Sequence, residues 1–273
     1  MSSGNGQHEK SPIAIILAAG KGTRMGSDLP KVVHQVGGRP MVCAVVDACR
    51  AAGCSRVVLV VGYKQELVRE LIAAQGPEWC RGIEFAVQEQ QLGTGHAVLS
   101  AKPTLGATAS EKGLPCFVLA GDGPLIRGET LRQLLDLHTR TGSAATLATS
   151  VIRDPTGYGR IVRGGDGKLA AIVEHKECTP EQLKIREVNP SYYCFDTAEL
   201  FAALALVKRN EQSGEYYITD VPSLLLSQGK RVEVIDAVPP EDILSINTPA
   251  QLAEVDAIYR SRSATTHPRG AAR

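Results

Sequence analysis

A glycine-rich loop that carries basic side chains follows the first apolar segment of the sequence and covers residues 19–31. Gly20 and Gly22 allow a sharp turn and let the backbone approach a ligand without a Cβ atom in the way. Backbone amides that point into such a turn form a nest for anions. Arg24 and Lys31 add positive charge, in a pattern that is neither Walker A nor the dinucleotide-binding glycine motif. The loop is therefore predicted to bind phosphate, the alternative being a tight connection between a strand and a helix.

Three acidic or amide side chains follow other predicted strands. Asp122 ends an apolar strand, where a lone carboxylate is costly unless it is exposed or binds a cation such as Mg²⁺; the alternative is a helix-capping Asp. Gln88 precedes the Gly93-Thr94 turn and could pair with the edge of a nucleobase, the alternative being an isolated surface amide. Glu174 closes a strand and could accept hydrogen bonds from sugar hydroxyls, the alternative being a solvated strand end.

The elements that must position these side chains alternate between strand and helix in the first half of the sequence. Apolar strands are predicted at 13–18, 56–61, 83–87 and 116–120, with helices at 41–52, 65–74 and 129–140 and another that starts near Thr94. Strands that are apolar throughout are typical of a parallel sheet covered on both faces. The sequence predicts an α/β fold with a Rossmann-like, mostly parallel sheet flanked by helices. In such sheets ligands bind beyond the carboxyl ends of the strands.

The pattern changes after about residue 144. Strands are predicted at 145–152, 159–163, 169–174 and 187–195, with a hairpin signal at 164–167 and helices at 197–208, 222–227 and 249–262. This pattern indicates an antiparallel extension of the sheet. We expect a disordered head at 1–11, one domain over 12–262 with parts at 12–143 and 144–262, and a flexible tail at 263–273.

Composition excludes several classes of protein. The 30 Lys and Arg residues nearly balance the 29 Asp and Glu residues, so no strong overall field exists to bind nucleic acid or an anionic membrane. Aromatic residues make up only 4%, which argues against stacking platforms for bases. No stretch is long enough to span a membrane, and seven scattered cysteines are typical of inert thiols in a reducing compartment. The expected location is the cytoplasm.

Five motifs then make the sequence recognisable. The sequence LAAGKGTRM at 17–25, with PK at 30–31, resembles the signature of the sugar-phosphate nucleotidylyltransferases. QQLGTGHA at 90–97, PTGYGRI at 155–161, IVEHK at 172–176 and GEYYITD at 214–220 follow in the family's order. The sequence is most similar to the uridylyltransferase domain of the bifunctional enzymes that also acetylate glucosamine 1-phosphate, over roughly residues 13–262. No hexapeptide repeat of their acetyltransferase domain is present, so acetyl transfer is not expected.

The resemblance implies a nucleotide-diphospho-sugar transferase fold, in which the antiparallel extension binds the sugar. It implies that Arg24 contacts the departing pyrophosphate, that Lys31 contacts the reacting α-phosphate, and that Asp122 and Asn247 hold Mg²⁺. The residues that it places around the uridine are Leu17, Ala18, Ala19, Gly20, Gln88, Gly93 and Thr94. Those that it places around the sugar are Gly159, Glu174 and Asn189.

The expected reaction is transfer of UMP from UTP to N-acetylglucosamine 1-phosphate, which releases pyrophosphate. An ionised sugar phosphate attacks without a general base, so structural roles are expected for His96 and His175. The alternatives are another nucleotide or sugar 1-phosphate as substrate, or a regulator that binds nucleotide sugars without turnover. Pro190-Ser191 stands where the family has Thr-Gly, and it predicts weaker discrimination between sugars.

Overall fold

The computed structural model describes residues 10–266 of the 273-residue chain. Most of the predicted head at 1–11 and most of the predicted tail at 263–273 therefore lie outside the described residues. The last helix continues to Thr266, past the predicted end at residue 262. Within residues 10–266, no helix is both long enough and apolar enough to cross a membrane.

The first half of the chain supplies the elements around the glycine-rich loop. Turns of 3₁₀ helix occur at Thr23–Met25, Lys31–Val33 and Gly106–Ser110. The regular elements are β1 (Ile13–Ala18), β2 (Gln35–Val36), β3 (Arg39–Pro40), α1 (Met41–Ala51), β4 (Arg56–Val61), α2 (Gln65–Ala73), α3 (Pro77–Cys80), β5 (Ile83–Val87), α4 (Thr94–Ser100), α5 (Lys102–Leu105), β6 (Pro115–Ala120) and α6 (Gly128–Thr141).

The second half adds strands on the other side of β6 and the closing helices. A 3₁₀ turn lies at His175–Glu177. The regular elements are β7 (Ala145–Val151), β8 (Gly159–Arg163), β9 (Leu169–Val173), α7 (Pro180–Leu183), β10 (Glu187–Asp196), α8 (Thr197–Leu204), α9 (Asp220–Ser227), β11 (Val232–Asp236) and α10 (Pro249–Thr266).

The main sheet has the strand order β11-β7-β10-β6-β1-β4-β5, and β8 and β9 branch from β10. Strand β1 pairs in parallel with β4 and β6, and β4 pairs in parallel with β5. Strand β10 is antiparallel to β6, β7 and β8, and β8 is antiparallel to β9. The predicted α/β class with an antiparallel extension is confirmed. Strand β11, which pairs in parallel with β7, was not predicted.

Side chains of β1 alternate between two apolar cores, one on each face of the sheet, and both cores include helices. Ile15 belongs to the core that contains residues of α4, α8 and α9, whereas Ile16 belongs to the core that contains residues of α1, α2 and α6. Both side chains are fully buried, and each contributes about 1.5–3 kcal/mol through burial of apolar surface. The central strand is thus stabilised from both sides.

The loop after β1 begins at the point where the strand order of the sheet reverses. Strand β1 lies between β4, which follows it in the chain, and β6, which is reached by a later crossover. Connections from neighbouring strands leave in opposite directions at such a point and leave a crevice at the carboxyl ends of the strands. The glycine-rich loop and Asp122 both lie at this edge, because they follow β1 and β6.

Candidate active site

The glycine-rich loop is folded back on itself so that Lys31 lies against Gly22. Gly22 has a φ of +71°, and a Cβ atom built there would lie 2.8 Å from the Cβ atom of Lys31. The Lys31 amide donates to the carbonyl of Gly20 at 3.4 Å, which closes the loop. The sequence therefore needs glycine at position 22 for two reasons, the left-handed backbone and the close approach of the lysine.

Four polar side chains from distant parts of the sequence lie in mutual contact at the carboxyl edge. Lys31 Nζ forms an ion pair with Asp122 and donates to Asn247 Oδ1 at 2.7 Å. Arg24 also donates to Asn247 Oδ1, at 2.7 Å. The structure thus brings together Arg24, Lys31, Asp122 and Asn247, the residues predicted to act on the phosphates and the metal.

Asp122 and Asn247 are held in place by backbone hydrogen bonds next to them. The Gly121 amide donates to the carbonyl of Leu17 at 2.9 Å, and the Ile246 amide donates to the carbonyl of Asp122 at 3.0 Å. The Asn247 amide group donates to Ser245 Oγ at 3.1 Å. These bonds fix both oxygen donors relative to the end of β1.

A small apolar core lies behind this cluster and joins its parts. Met25, next to Arg24, and Ile246, next to Asn247, are both buried in it. Val255 of α10 belongs to the same core. Helix α10 therefore positions the polar cluster, because the helix packs against Met25 and Ile246, the sequence neighbours of Arg24 and Asn247.

A cleft of about 330 Å³ extends from the polar cluster toward the antiparallel extension. Arg24, Asp122 and Asn247 line one end. The residues predicted for the sugar line the same cleft, namely Gly159, Glu174 and Asn189, together with Thr156, Gly157, Tyr158, Pro190, Ser191 and Tyr192. The predicted sugar residues thus share one cavity with Arg24, Asp122 and Asn247, and Lys31 lies behind the last two of these.

Glu174 is half-buried at the end of β9 and accepts a hydrogen bond from Thr219 Oγ1 at 3.1 Å. Burial raises the pKa of its carboxyl above the usual value, although the hydrogen bond from Thr219 opposes that shift. The contact joins the IVEHK and GEYYITD motifs, which lie far apart in the sequence.

The side-chain amide of Asn189 is engaged at both ends within the chain. Its nitrogen donates to Tyr193 Oη at 2.6 Å, and its oxygen accepts from the Ser191 amide at 3.1 Å. Ser191 has a φ of +65°, and the pairing of β10 with β7 shifts register between Val188 and Tyr192. Asn189 therefore shapes a bulge that places Pro190 and Ser191 at the cleft.

Arg160 is a buried support of the cleft that the sequence did not single out. Its guanidinium, 1% exposed, donates to the carbonyl of Tyr158 and lies 3.3 Å from Nδ1 of His175. Tyr158 Oη donates to the carbonyl of Ile243 at 3.1 Å. Both Tyr158 and Arg160 belong to the PTGYGRI motif, and their place in that motif could have indicated that they support the cleft.

The residues predicted for the uridine lie at the ends of β1 and β5 and at the start of α4. The Ala19 carbonyl accepts from Gln91 Nε2 at 2.8 Å, and Gly62 packs against both Ala19 and Gln88. The loop 17–20 therefore lies beside the end of β5.

The start of α4 is tied to the GEYYITD motif. A Cβ atom at Gly93 would lie 2.6 Å from the Tyr216 carbonyl, so only glycine fits, and its φ is +99°. Thr94 Oγ1 accepts from the Ile218 amide at 3.0 Å. Gly93 and Thr94 are thus fixed by tertiary contacts rather than by a local turn alone.

Asp122 and Asn247 are the two oxygen donors that the resemblance implies for a metal ion. Within residues 10–266 no group of three or more His, Cys, Asp or Glu side chains could hold a metal ion. A carboxylate and an amide oxygen that already contact one cation, Lys31 Nζ, suit Mg²⁺ when phosphate and water oxygens complete its shell.

A parallel sheet with a glycine-rich basic loop at its switch point, joined to a cleft in an antiparallel extension, is an arrangement that suits a nucleotidyltransferase. The family model of the MobA-like NTP transferase domain matches residues 14–215. The chain belongs to that family.

The curated relatives confirm the resemblance found in the motifs. The bifunctional protein GlmU of Geobacter metallireducens is 47% identical over 249 residues, which are 91% of this chain and 50% of that protein. The bifunctional protein GlmU of Geobacillus thermodenitrificans is 44% identical over 254 residues, which are 93% of this chain and 53% of that protein. The chain thus spans about half the length of these relatives.

Solved structures confirm the fold independently of close sequence similarity. A UDP-glucose pyrophosphorylase in complex with UDP-glucose superimposes with a TM-score of 0.74 at 17% identity, over 92% of this chain and 99% of the other. The apo form of such an enzyme gives a TM-score of 0.74 at 18% identity, over 93% of this chain and 99% of the other.

Proposed function

We propose that this chain transfers UMP from UTP to N-acetylglucosamine 1-phosphate and releases pyrophosphate. The contact of Arg24, Lys31, Asp122 and Asn247 at one end of the cleft carries the proposal, because it joins cationic and metal-binding groups where a phosphate would react. The family model and the identity to the two GlmU proteins support nucleotidyl transfer to a sugar phosphate, of which this reaction is one case.

Positioning and charge neutralisation supply the catalysis in this proposal. A phosphate oxygen of the sugar 1-phosphate attacks the α-phosphorus of UTP, and the bond to the leaving pyrophosphate breaks on the opposite side. Lys31 contacts the α-phosphate and Arg24 contacts the pyrophosphate, so both cations face oxygens whose charge changes during transfer. The attacking phosphate is already ionised, so no general base takes a proton.

Mg²⁺ is the cofactor in this proposal, held by Asp122 and Asn247. When bound, it would neutralise phosphate charge beyond what two cationic side chains can. Lys31 Nζ contacts both oxygen donors, so binding of the metal requires the lysine to turn from them toward the α-phosphate.

The sugar lies at the far end of the cleft in this proposal. Gly159 lets the sugar approach the backbone, and Glu174 accepts hydrogen bonds from its hydroxyls. Asn189 acts mainly by shaping the bulge that carries Ser191, because both ends of its amide are engaged within the chain.

A substrate panel tests the proposal. The four common nucleoside triphosphates are each combined with the 1-phosphates of N-acetylglucosamine, glucosamine and glucose, and pyrophosphate release is measured with Mg²⁺ and with excess chelator. We expect turnover with UTP and N-acetylglucosamine 1-phosphate that stops in chelator. Preference for another pair would select another nucleotidyltransferase, and turnover that continues in chelator would refute the metal.

The isosteric variant Asp122→Asn tests the residue assigned to the metal. It keeps the shape of the side chain but removes the charge, so we expect a higher Mg²⁺ concentration for half-maximal activity, with metal-free UTP binding little changed. Equal metal dependence in the variant and the wild type would contradict the assignment.

A further inference from the structure

The side-chain amide of Gln88 is held by two acceptors at once. Its nitrogen donates to the carbonyl of Gly93 at 3.1 Å and lies 3.1 Å from Nδ1 of His96. The side chain is only 5% exposed, so the surrounding protein restricts its rotation. These two contacts use both hydrogens of the amide nitrogen.

The Gly93 carbonyl decides which end of the Gln88 amide faces it. A carbonyl can only accept a hydrogen bond, so the amide nitrogen rather than Oε1 must lie there. Oε1 then faces away from Gly93 and His96, and among residues 10–266 it has no hydrogen-bond partner. Gln88 therefore offers an acceptor as its open group.

His96 reinforces this orientation from the first turns of α4. Because the Gln88 nitrogen donates to it, Nδ1 of His96 must carry a lone pair, and its proton is on Nε2. A flipped amide would turn Oε1 toward both the Gly93 carbonyl and the His96 lone pair. With the proton on Nε2, that arrangement places acceptor against acceptor twice and loses two hydrogen bonds; moving the proton to Nδ1 would restore only the one to His96.

We propose that His96 is a positioning residue for nucleobase choice, which favours uracil over cytosine by holding the Gln88 amide with Oε1 open. Uracil presents a donor at N3–H, which Oε1 can accept. Cytosine presents an acceptor at N3, which would face Oε1 without a hydrogen. This inference rests on the proposed function, in which Gln88 pairs with the base of UTP.

Three variants of His96 separate this role from a general packing role. His96→Asn places an acceptor oxygen at the position of Nδ1. His96→Leu keeps apolar volume but removes the acceptor, and His96→Gln moves the polar group toward the position of Nε2. His175→Leu is the matched control, because that histidine lies beside Arg160 at the sugar end of the cleft.

The readout is the ratio of kcat/KM for UTP to that for CTP, measured as pyrophosphate release with one sugar 1-phosphate. We expect His96→Leu and His96→Gln to lower the ratio by roughly 10-fold, the value of one ordinary hydrogen bond. His96→Asn is expected to keep most of the wild-type ratio, and His175→Leu all of it.

An unchanged ratio in His96→Leu would overturn the inference, as would an equal loss of both activities in which the ratio stays constant. A ratio that falls in His96→Asn as far as in His96→Leu would also overturn it, because the acceptor would not be the cause. Wild-type protein that does not use UTP at all would instead refute the proposed function, so the two failures are distinguishable.

Discussion

Substitution of Gly22 by alanine is expected to impair turnover through Lys31 without touching any ligand. The new Cβ atom would lie 2.8 Å from Lys31 Cβ and 3.3 Å from its Cα atom. The shorter distance is at least about 0.6 Å closer than ordinary van der Waals contact, so the backbone of Lys31 must move. The left-handed φ of +71° also costs about 1–2 kcal/mol for a residue with a side chain.

Gly26→Ala is the matched control in the same loop. Gly26 has a φ of +62°, and no atom lies within 4 Å of a Cβ built there, so this variant carries the backbone strain without the contact. Gly26→Ala is expected to lose about 1–2 kcal/mol of the free energy of unfolding in urea titrations, and Gly22→Ala more than that, because it adds the contact with Lys31 to the same backbone strain. Only Gly22→Ala is expected to lose kcat, by roughly 10- to 100-fold, because displaced catalytic groups are costly.

The assay is pyrophosphate release, with kcat and KM determined separately for both variants and the wild type. Equal kcat values for Gly22→Ala and Gly26→Ala would refute the reasoning, because contact with Lys31 would then have no consequence. Loss of kcat in both variants would assign the effect to loop strain instead.

Four further variants test other parts of the molecule. Lys31→Ala and Arg24→Ala should each lower turnover by roughly 10²-fold or more without unfolding the protein, although Lys31→Ala also removes the ion pair with Asp122 and should lower Tm; full activity would exclude phosphate contacts. Replacing Pro190 with Thr and Ser191 with Gly should sharpen discrimination for the acetylated sugar by ~1–3 kcal/mol. The measurement is the ratio of kcat/KM for N-acetylglucosamine 1-phosphate to that for the other sugar 1-phosphates, and an unchanged ratio would contradict the prediction. Burial lowers the pKa of His138 to about 4. Protonation therefore favours the unfolded chain, and the free energy of unfolding declines as the pH falls below the ordinary pKa of histidine. His138→Asn should remove about 2 kcal/mol of this decline between about pH 7.5 and about pH 5 in urea titrations.

The central strands could be predicted from the sequence because each is a short apolar segment bounded by glycine or polar residues. Strands β1, β4 and β5 have the predicted bounds. Strand β11 was not predicted: two of the five residues in its Val-Glu-Val-Ile-Asp sequence are acidic, and none of the five is fully buried. Its stability comes from pairing with β7, which local pattern does not reveal.

The candidate site could be predicted in its residue types but not in its contacts. Glycines and basic residues indicated a phosphate loop, whereas Asn247 was assigned from the resemblance alone, since nothing local distinguishes it from a surface amide. Its contact with Lys31 spans 216 positions, and packing of α10 creates it. The engagement of Asn189 by Tyr193 and the left-handed Ser191 likewise depend on a bulge that only the paired strands define.

The bond from Arg24 to Asn247 spans 223 positions, and this separation sets a time order during synthesis of the protein. A ribosome that adds roughly 5–20 residues per second makes the two partners roughly 10–45 seconds apart. Throughout that interval the nascent chain already carries Arg24 and Lys31 but lacks Asn247 Oδ1, which accepts hydrogen bonds from both. With the role proposed for Asn247, nucleotide turnover is expected only after α10 has left the ribosome and packed against Ile246, and a polysome bearing shorter chains should be catalytically silent.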